Sequence, residues 1–335
     1  MPLIVDRRSL LALLGSAALW PEAAWAAPYP APDRETMVPV EGGRIYVRLN
    51  GASRPERPPI LLVHGGPGSG HSGYMPFLRL AGERPVILYD QLDAGRSDAP
   101  NDPRNWRVER FVDEIDAIRR AFGLERLHLY GGSWGGTVAL EYAARRPAGL
   151  ASLTLQNPLV STRRWLADTS ILRATLPAET QEMLRRCESG RPPPPEQCAA
   201  ADEVFNSRFL RRQPRPPELE AYRSALPLPF NQRIYQAMWG RTEFVSTGTL
   251  RDYDGEPLLA RLHGPRTLFI TGQHDEARPE TVAQFARQVP GSEFAVVPGS
   301  GHAIANDRPD ELLALMSLWL RRNDGGQSPA GGSRQ

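Results

Sequence analysis

The sequence predicts an α/β fold, in which a mostly parallel sheet carries helices on both faces. Short apolar runs alternate along the chain with stretches of helical periodicity, the pattern of strands covered on both sides. One such run, Leu127-His128-Leu129-Tyr130, passes through Gly131-Gly132-Ser133-Trp134-Gly135 straight into Thr137-Val138-Ala139-Leu140-Glu141-Tyr142, which reads as strand, sharp turn and helix. Size and composition agree. The 335 residues, 41% hydrophobic and 23% charged, suit one large globular domain with an insertion, or two domains, and exclude a disordered chain.

Taken in order, the chain opens on a targeting segment that plays no part in the fold. Arg7-Arg8 precedes the apolar stretch from Leu10 to Trp20, and Ala24-Trp25-Ala26 supplies a small-x-small cleavage site, so residues 1–26 read as a signal peptide. The arginine pair points to twin-arginine export, with ordinary Sec export as the alternative. Either route gives a mature protein that starts near Ala27 and is periplasmic or secreted. The apolar stretch is short for a bilayer span, so no membrane anchor is expected after processing.

Val38-Pro39-Val40, Glu41-Gly42-Gly43 and Arg44-Ile45-Tyr46-Val47-Arg48 read as an antiparallel hairpin on the sheet edge. Further strands are expected at Ile60-Leu61-Leu62-Val63, Pro85-Val86-Ile87-Leu88-Tyr89, Leu127 to Tyr130 and Leu153-Thr154-Leu155. The last two are Thr267-Leu268-Phe269-Ile270 and Phe294-Ala295-Val296-Val297. Between them, Phe111 to Phe122 places Val112, Ile115 and Ile118 on one helical face. The strand pattern stops between about Asn157 and Leu250. That stretch is rich in Arg and Pro, shows helical periodicity at Thr180 to Arg186 and Val204 to Leu210, and reads as a helical cap (157–250) inserted into a core of 27–156 and 251–322. A helix from Pro309 to Leu320 closes the core, and 323–335 is polar, Gly- and Ser-rich, and expected to be disordered.

The turn at Ser133 carries the chemistry. A serine at the apex of a strand–turn–helix, flanked by glycines that tolerate a strained backbone, is the nucleophile elbow of the α/β-hydrolase fold. In an open parallel sheet reactive groups collect at the carboxyl ends of strands, and in this fold they follow the chain order Ser…Asp…His. Ser133, then Asp275 within Gly272-Gln273-His274-Asp275-Glu276, then His302 within Pro298-Gly299-Ser300-Gly301-His302 satisfy both conditions. A serine hydroxyl is a weak nucleophile at neutral pH. His302 would take its proton, and Asp275 would fix the imidazole tautomer and stabilise the imidazolium. Taken alone, His302 could equally be a surface histidine in a Gly-rich turn; the ordered trio makes it catalytic.

An acyl-transfer site also needs two backbone N–H donors aimed at the developing oxyanion, each contributing about 3 kcal/mol. The elbow supplies Trp134 N–H. The loop His64-Gly65-Gly66-Pro67-Gly68, which follows the strand Ile60 to Val63, supplies the other from Gly66.

Other chemistries find little footing. Net charge is +2 and no basic run is dense enough to track a phosphate backbone, so nucleic acid is not an expected partner. All 40 basic residues are arginine, which excludes lysine-based catalysis. The two cysteines, Cys187 and Cys198, flank a segment with four consecutive prolines and have no histidine-rich neighbourhood, so neither a metal site nor a cofactor is expected. In an exported chain they are expected to pair, the alternative being two separately buried thiols.

His64-Gly65-Gly66-Pro67-Gly68, Asp90-Gln91 with Gly95-Arg96-Ser97, Gly131-Gly132-Ser133-Trp134-Gly135-Gly136 and Gly272-x-x-Asp275-Glu276 together resemble the proline iminopeptidase family of α/β-hydrolase serine peptidases. The resemblance runs from about Met37 to Leu320. It implies removal of an N-terminal residue, often proline, from short peptides through an acyl-enzyme, with carboxylates that receive the free α-ammonium. Glu243, in Met238-Trp239-Gly240-Arg241-Thr242-Glu243-Phe244, and Glu276 fall on the family's two carboxylate positions. The chain departs from the family where Arg241 and Thr242 stand in place of the usual Pro and Asn or Ser. It also departs at Leu92-Asp93-Ala94, where a glycine is usual. Two further readings stand beside the exopeptidase: an amidase or esterase of the same fold acting on small amino-acid amides or esters, and a binding protein on a hydrolase scaffold. The intact trio and both oxyanion loops argue against a pure binder.

Overall fold

The computed structural model describes residues 29–325. The expected signal peptide, with Arg7-Arg8 and its cleavage site, lies outside the described residues, as does the tail beyond Gly325.

Eight strands form one sheet in the order β1-β2-β4-β3-β5-β6-β7-β8. β1 (Arg34–Val40) and β2 (Gly43–Asn50) make the antiparallel edge hairpin, with Val38 opposite Ile45, and β2 runs antiparallel to β4 (Val86–Tyr89). From there every pairing is parallel: β4 with β3 (Ile60–Val63), then β5 (Leu127–Gly132), β6 (Leu150–Gln156), β7 (Thr267–Gly272) and β8 (Glu293–Val297). Side chains alternate across the pleat, so β3, β4, β5, β7 and β8 feed two cores. Leu61, Val63, Ile87, Leu129, Leu155 and Phe269 join one apolar cluster, while Ile60, Leu62, Val86, Leu88, Leu268 and Ile270 join the other. That double burial is why these strands read as unbroken apolar runs.

The first cluster is covered by α1 (Val108–Phe122), whose Phe111, Val112, Ile115 and Ile118 face inward, and by α2 (Trp134–Ala144). α1 ends at Gly123 with φ 65°, a left-handed C-cap that glycine adopts without penalty. The second cluster is covered by a 3-10 segment at His71–Gly82 and by the C-terminal helix.

Residues 157–250 contribute no strand and five helices: α3 (Thr162–Arg173), α4 (Ala178–Cys187), α5 (Pro195–Phe209), α6 (Pro217–Ser224) and α7 (Gln232–Met238). Pro195 and Pro217 open their helices, where a missing N–H costs nothing. The insertion has a small core of its own, Leu176, Leu184, Ala201 and Phe205, and Cys187 and Cys198 form a disulfide that ties α4 to α5. Asp168 on α3 reaches the main domain through Thr281 at 2.8 Å. The chain then completes the core with α8 (Glu256–Leu259), α9 (Pro279–Arg287), α10 (Ile304–Asp307) and α11 (Pro309–Arg322).

One expectation needs correcting. The sequence pattern starts the disordered tail at residue 323, yet Asn323 hydrogen-bonds the Trp319 carbonyl at 2.9 Å and Asp324 is engaged on both carboxylate oxygens. Asp324 pairs with fully buried Arg84 at 2.6 and 3.0 Å and with His128 at 3.1 Å. A buried guanidinium requires a counter-charge, and Asp324, the second residue past the last helix, supplies it.

Candidate active site

Ser133 sits between β5 and α2 with φ 56° and ψ −126°, a conformation that costs energy in any non-glycine residue. Its neighbours must be glycine because the strand and helix come so close. A Cβ on Gly131 would lie 2.2 Å from the Gly135 carbonyl, and one on Gly135 would lie 2.1 Å from the Val63 carbonyl. This is the elbow geometry that the sequence predicts, and it aims Ser133 into a cavity of about 580 Å³.

Asp275 and His302 meet at the carboxyl ends of β7 and β8. His302 Nδ1 lies 2.8 Å from Asp275 Oδ1, while Gly272 and Ala277 donate backbone N–H groups to Asp275 at 3.1 and 2.9 Å. Asn157, at the end of β6, completes the arrangement: its amide donates to Asp275 Oδ2 at 2.8 Å and to the His302 carbonyl at 2.7 Å. Trp165 from the insertion packs edge-on against the imidazole, ring centres 5.5 Å apart. Burial works against a charged His302, but Asp275 and Glu276 outweigh it and raise its pKa to about 9. Ser133 and His302 line the same cavity, and no hydrogen bond joins them among the described residues; in sites of this kind that bond commonly tightens only around substrate.

The second loop is held by a residue whose role the motif alone does not reveal. Gln91 accepts from Trp134 Nε1 at 2.8 Å and donates to the His64 carbonyl at 2.8 Å, so one side chain pins the elbow and the Gly65-Gly66 loop together. His64 is fully buried, and burial lowers its pKa to about 4. It is therefore neutral, Nδ1–H directed to the Gly65 carbonyl at 2.8 Å and Nε2 accepting Gln91 N–H at 3.0 Å. Gly66, with φ 112°, and Trp134 both line the cavity. Among the described residues neither backbone N–H donates to a backbone partner outside the regular elements, as an oxyanion site requires.

Glu243 and Glu276 both line the cavity, one from the insertion and one from the loop after β7. Tyr235 donates its hydroxyl to Glu243 Oε1. Glu276 Oε1 lies 3.7 Å from His302 Nε2, and its Oε2 has no hydrogen-bond partner among the described residues. Burial, followed by the charge of Glu243, pushes the Glu276 carboxyl up to about 8, and burial raises Glu243 as well. A buried carboxylate with an unpartnered oxygen beside a half-buried one is a setting that a cation would stabilise. Among the described residues no group of His, Cys, Asp and Glu is arranged to hold a metal ion.

The two departures from the family pattern separate here. Arg241 and Thr242 line the cavity. Asp93 does not: it is buried with φ 65°, and its carboxylate accepts from Asn101 N–H at 2.7 Å and Trp106 Nε1 at 2.8 Å. An aspartate tolerates the left-handed turn that glycine usually fills because its side chain ties down the loop beyond.

Comparison with known proteins matches residues 58–309 to the alpha/beta hydrolase fold family. A proline iminopeptidase of Heyndrickxia coagulans is 37% identical over 290 residues, covering 85% of this chain and 98% of the relative. Among solved structures, VinJ superposes with a TM-score of 0.80 at 34% identity, covering 87% of this chain and 99% of that one. The proline iminopeptidase of Mycobacterium smegmatis superposes with a TM-score of 0.77 at 34% identity, again covering 87% of this chain and 99% of the other. By fold, by the elbow and its facing loop, and by likeness along nearly its whole described length, the chain belongs to the proline iminopeptidase family of α/β hydrolases.

Proposed function

We propose that this chain is a serine aminopeptidase that removes an N-terminal residue, preferentially proline, from short peptides. In this reading Ser133 Oγ attacks the scissile carbonyl carbon and His302 Nε2 takes its proton. Gly66 and Trp134 N–H groups receive the oxyanion, and Asp275, held by Asn157 and two backbone N–H groups, keeps the imidazolium oriented. Collapse of the tetrahedral intermediate breaks the C–N bond, His302 returns the proton to the leaving amine, and an ester joins the acyl group to Ser133. Water, deprotonated by His302, then attacks that ester and releases the amino acid and free Ser133.

The observation that carries the reading is the pair Glu243 and Glu276 in the same cavity as Ser133 and His302. An α-ammonium between them offsets both its own desolvation and theirs, and fixes the carbonyl carbon, two bonds from the nitrogen, against Ser133. A plain ester offers nothing to that pair. The relatives named proline iminopeptidase support proline as the preferred residue.

We extend the proposal to export. Disulfides persist in oxidising compartments, so the Cys187–Cys198 bond supports a periplasmic or secreted site of action. Mass spectrometry of the exported protein should find it beginning near Ala27; material beginning at Met1 contradicts cleavage.

A panel of aminoacyl arylamides, each with a free and an N-acetylated amino terminus, tests the activity. Prolyl arylamide cleaved only when unblocked supports the aminopeptidase. Equal rates on both forms favour the amidase or esterase.

A further inference from the structure

The Arg- and Pro-rich stretch that ends α5 has no part in the mechanism, yet it is fastened to the catalytic loop. His302 N–H donates to the Phe209 carbonyl at 2.9 Å and Ala303 N–H to the Leu210 carbonyl at 2.7 Å. Asp307 accepts the Arg212 and Gln213 N–H groups at 3.0 Å each. Arg211 follows Leu210 directly, and Arg211, Arg215 and Arg223 all line the cavity that holds Ser133 and His302.

These guanidiniums are under-compensated. Arg215 and Arg223 share Glu220, at 3.1 and 3.4 Å, and that carboxylate is 44% exposed. Arg211 forms no side-chain hydrogen bond or ion pair among the described residues. Burial lowers the pKa of Arg215, and the charges of Arg211 and Arg223 lower it further. Like charges gathered at a half-buried surface are a cost to the fold, relieved when an anion joins them.

The same cavity also carries carboxylates, with Arg241 two residues before Glu243 in sequence. Glu243 and Glu276 are joined by Asp202, whose carboxyl is pushed up to about 6 by burial and by the nearby Glu243 charge. One cavity therefore presents carboxylates to an ammonium and guanidiniums to an anion. A guanidinium matches a carboxylate in bidentate geometry. A peptide residue spans at most about 3.6 Å, so the free carboxylate of a di- or tripeptide stays within the cavity while that of a long chain does not.

We propose that Arg211, Arg215 and Arg223 receive the C-terminal carboxylate of the substrate, so that the preferred substrates are di- and tripeptides with both termini free. The proposal rests on the aminopeptidase reading and names the substrate class of that site. Its test compares prolyl-alanyl-alanine with its C-terminal amide, using prolyl arylamide to check the underlying activity. The wild-type enzyme should prefer the acid in kcat/KM by about tenfold or more, the worth of a charge-assisted hydrogen bond. That preference should fall toward one in Arg211→Gln and in Arg215→Gln, and Arg215→Lys should restore part of it. Using two independent variants keeps the test valid if one fails to fold. Equal rates on acid and amide in the wild type, with the arylamide cleaved, overturn the carboxylate site alone. A wild-type enzyme that cleaves none of the three overturns the aminopeptidase reading and this proposal with it. A glutamyl peptide amide preferred over the alanyl acid would assign the arginines to an acidic side chain instead, and likewise overturns it.

Discussion

Replacing Glu276 by glutamine should move the ionisation of His302, by an amount the geometry bounds. Glu276 Oε1 stands 3.7 Å from His302 Nε2, the nitrogen that must be unprotonated to act as base. At an effective dielectric of about 20, a full charge at that distance contributes roughly 4.5 kcal/mol, equivalent to about three pKa units. That is a ceiling, because Glu276 is itself pushed up to about 8 and carries its full charge only above that pH. A downward displacement of about one to two units is expected. The sign follows from the charges: the carboxylate stabilises the imidazolium, so removing it lets the proton leave at lower pH. The assay is kcat/KM against pH on an aryl acetate, whose lack of an ammonium isolates the base from substrate binding. The acidic limb of that profile reports the free enzyme. For the wild type it should lie on the alkaline side of neutrality, consistent with a His302 pKa raised to about 9, and for Glu276→Gln it should lie lower. An unmoved limb, or one displaced upward, refutes the idea that Glu276 acts on the base. A substrate ammonium paired with Glu276 acts in the same direction as the glutamine, freeing His302 to accept the Ser133 proton when a substrate is in place.

Ser133→Ala and His302→Ala should each lower kcat by roughly four to six orders of magnitude, and the double variant little further, because the residues act as one unit. Near-normal turnover by folded Ser133→Ala would remove the serine mechanism. Asp324→Ala should destabilise the fold by about 3 kcal/mol at pH 7, since it strands a fully buried Arg84; the figure is at the lower end for a buried pair because Asp324 still touches water. The folded-state pKa of Asp324 is lowered to about 2 by His128 and Arg84 against the opposing effect of burial. The pair therefore stabilises fully above the ordinary aspartate value, and the gap between wild type and variant in urea denaturation should narrow as pH falls from about 4 toward 2.

Much of the fold and of the candidate site is legible in the sequence, for physical reasons. Strands buried on both faces must be largely apolar, so β3 and β4 announce themselves as short unbroken runs, while β5 to β8 show shorter apolar stretches. Ser133 was legible because the elbow demands glycine at Gly131 and Gly135, where any Cβ would strike backbone. Asp275 and His302 followed from chain order. What stayed hidden depends on contacts between distant parts of the chain. Asn157 looks like the first residue of an irregular segment, and nothing local says that it reaches Asp275 and His302. Gln91 belonged to a recognisable motif, but its bridge from His64 to Trp134 exists only once β3, β4 and β5 lie side by side. Tyr235 and Trp165 carry no signal at all, being two aromatic residues among many in a helical stretch. Asp324 failed for the opposite reason: its Gly- and Ser-rich surroundings read as disorder, while its partner Arg84 lies 240 residues away.

The central claim is that this site recognises a free amino terminus, and Glu243→Gln tests it most directly. The substitution keeps the shape of the side chain that Tyr235 holds and removes the charge offered to the ammonium. Measured as kcat/KM, the ratio of free-amino prolyl arylamide to aryl acetate should fall by about 30-fold or more, corresponding to about 2 kcal/mol for a carboxylate partly open to the cavity. The ester, with no ammonium to lose, should supply the stable reference. A ratio that stays where the wild type has it would make Glu243 a bystander and contradict the aminopeptidase account.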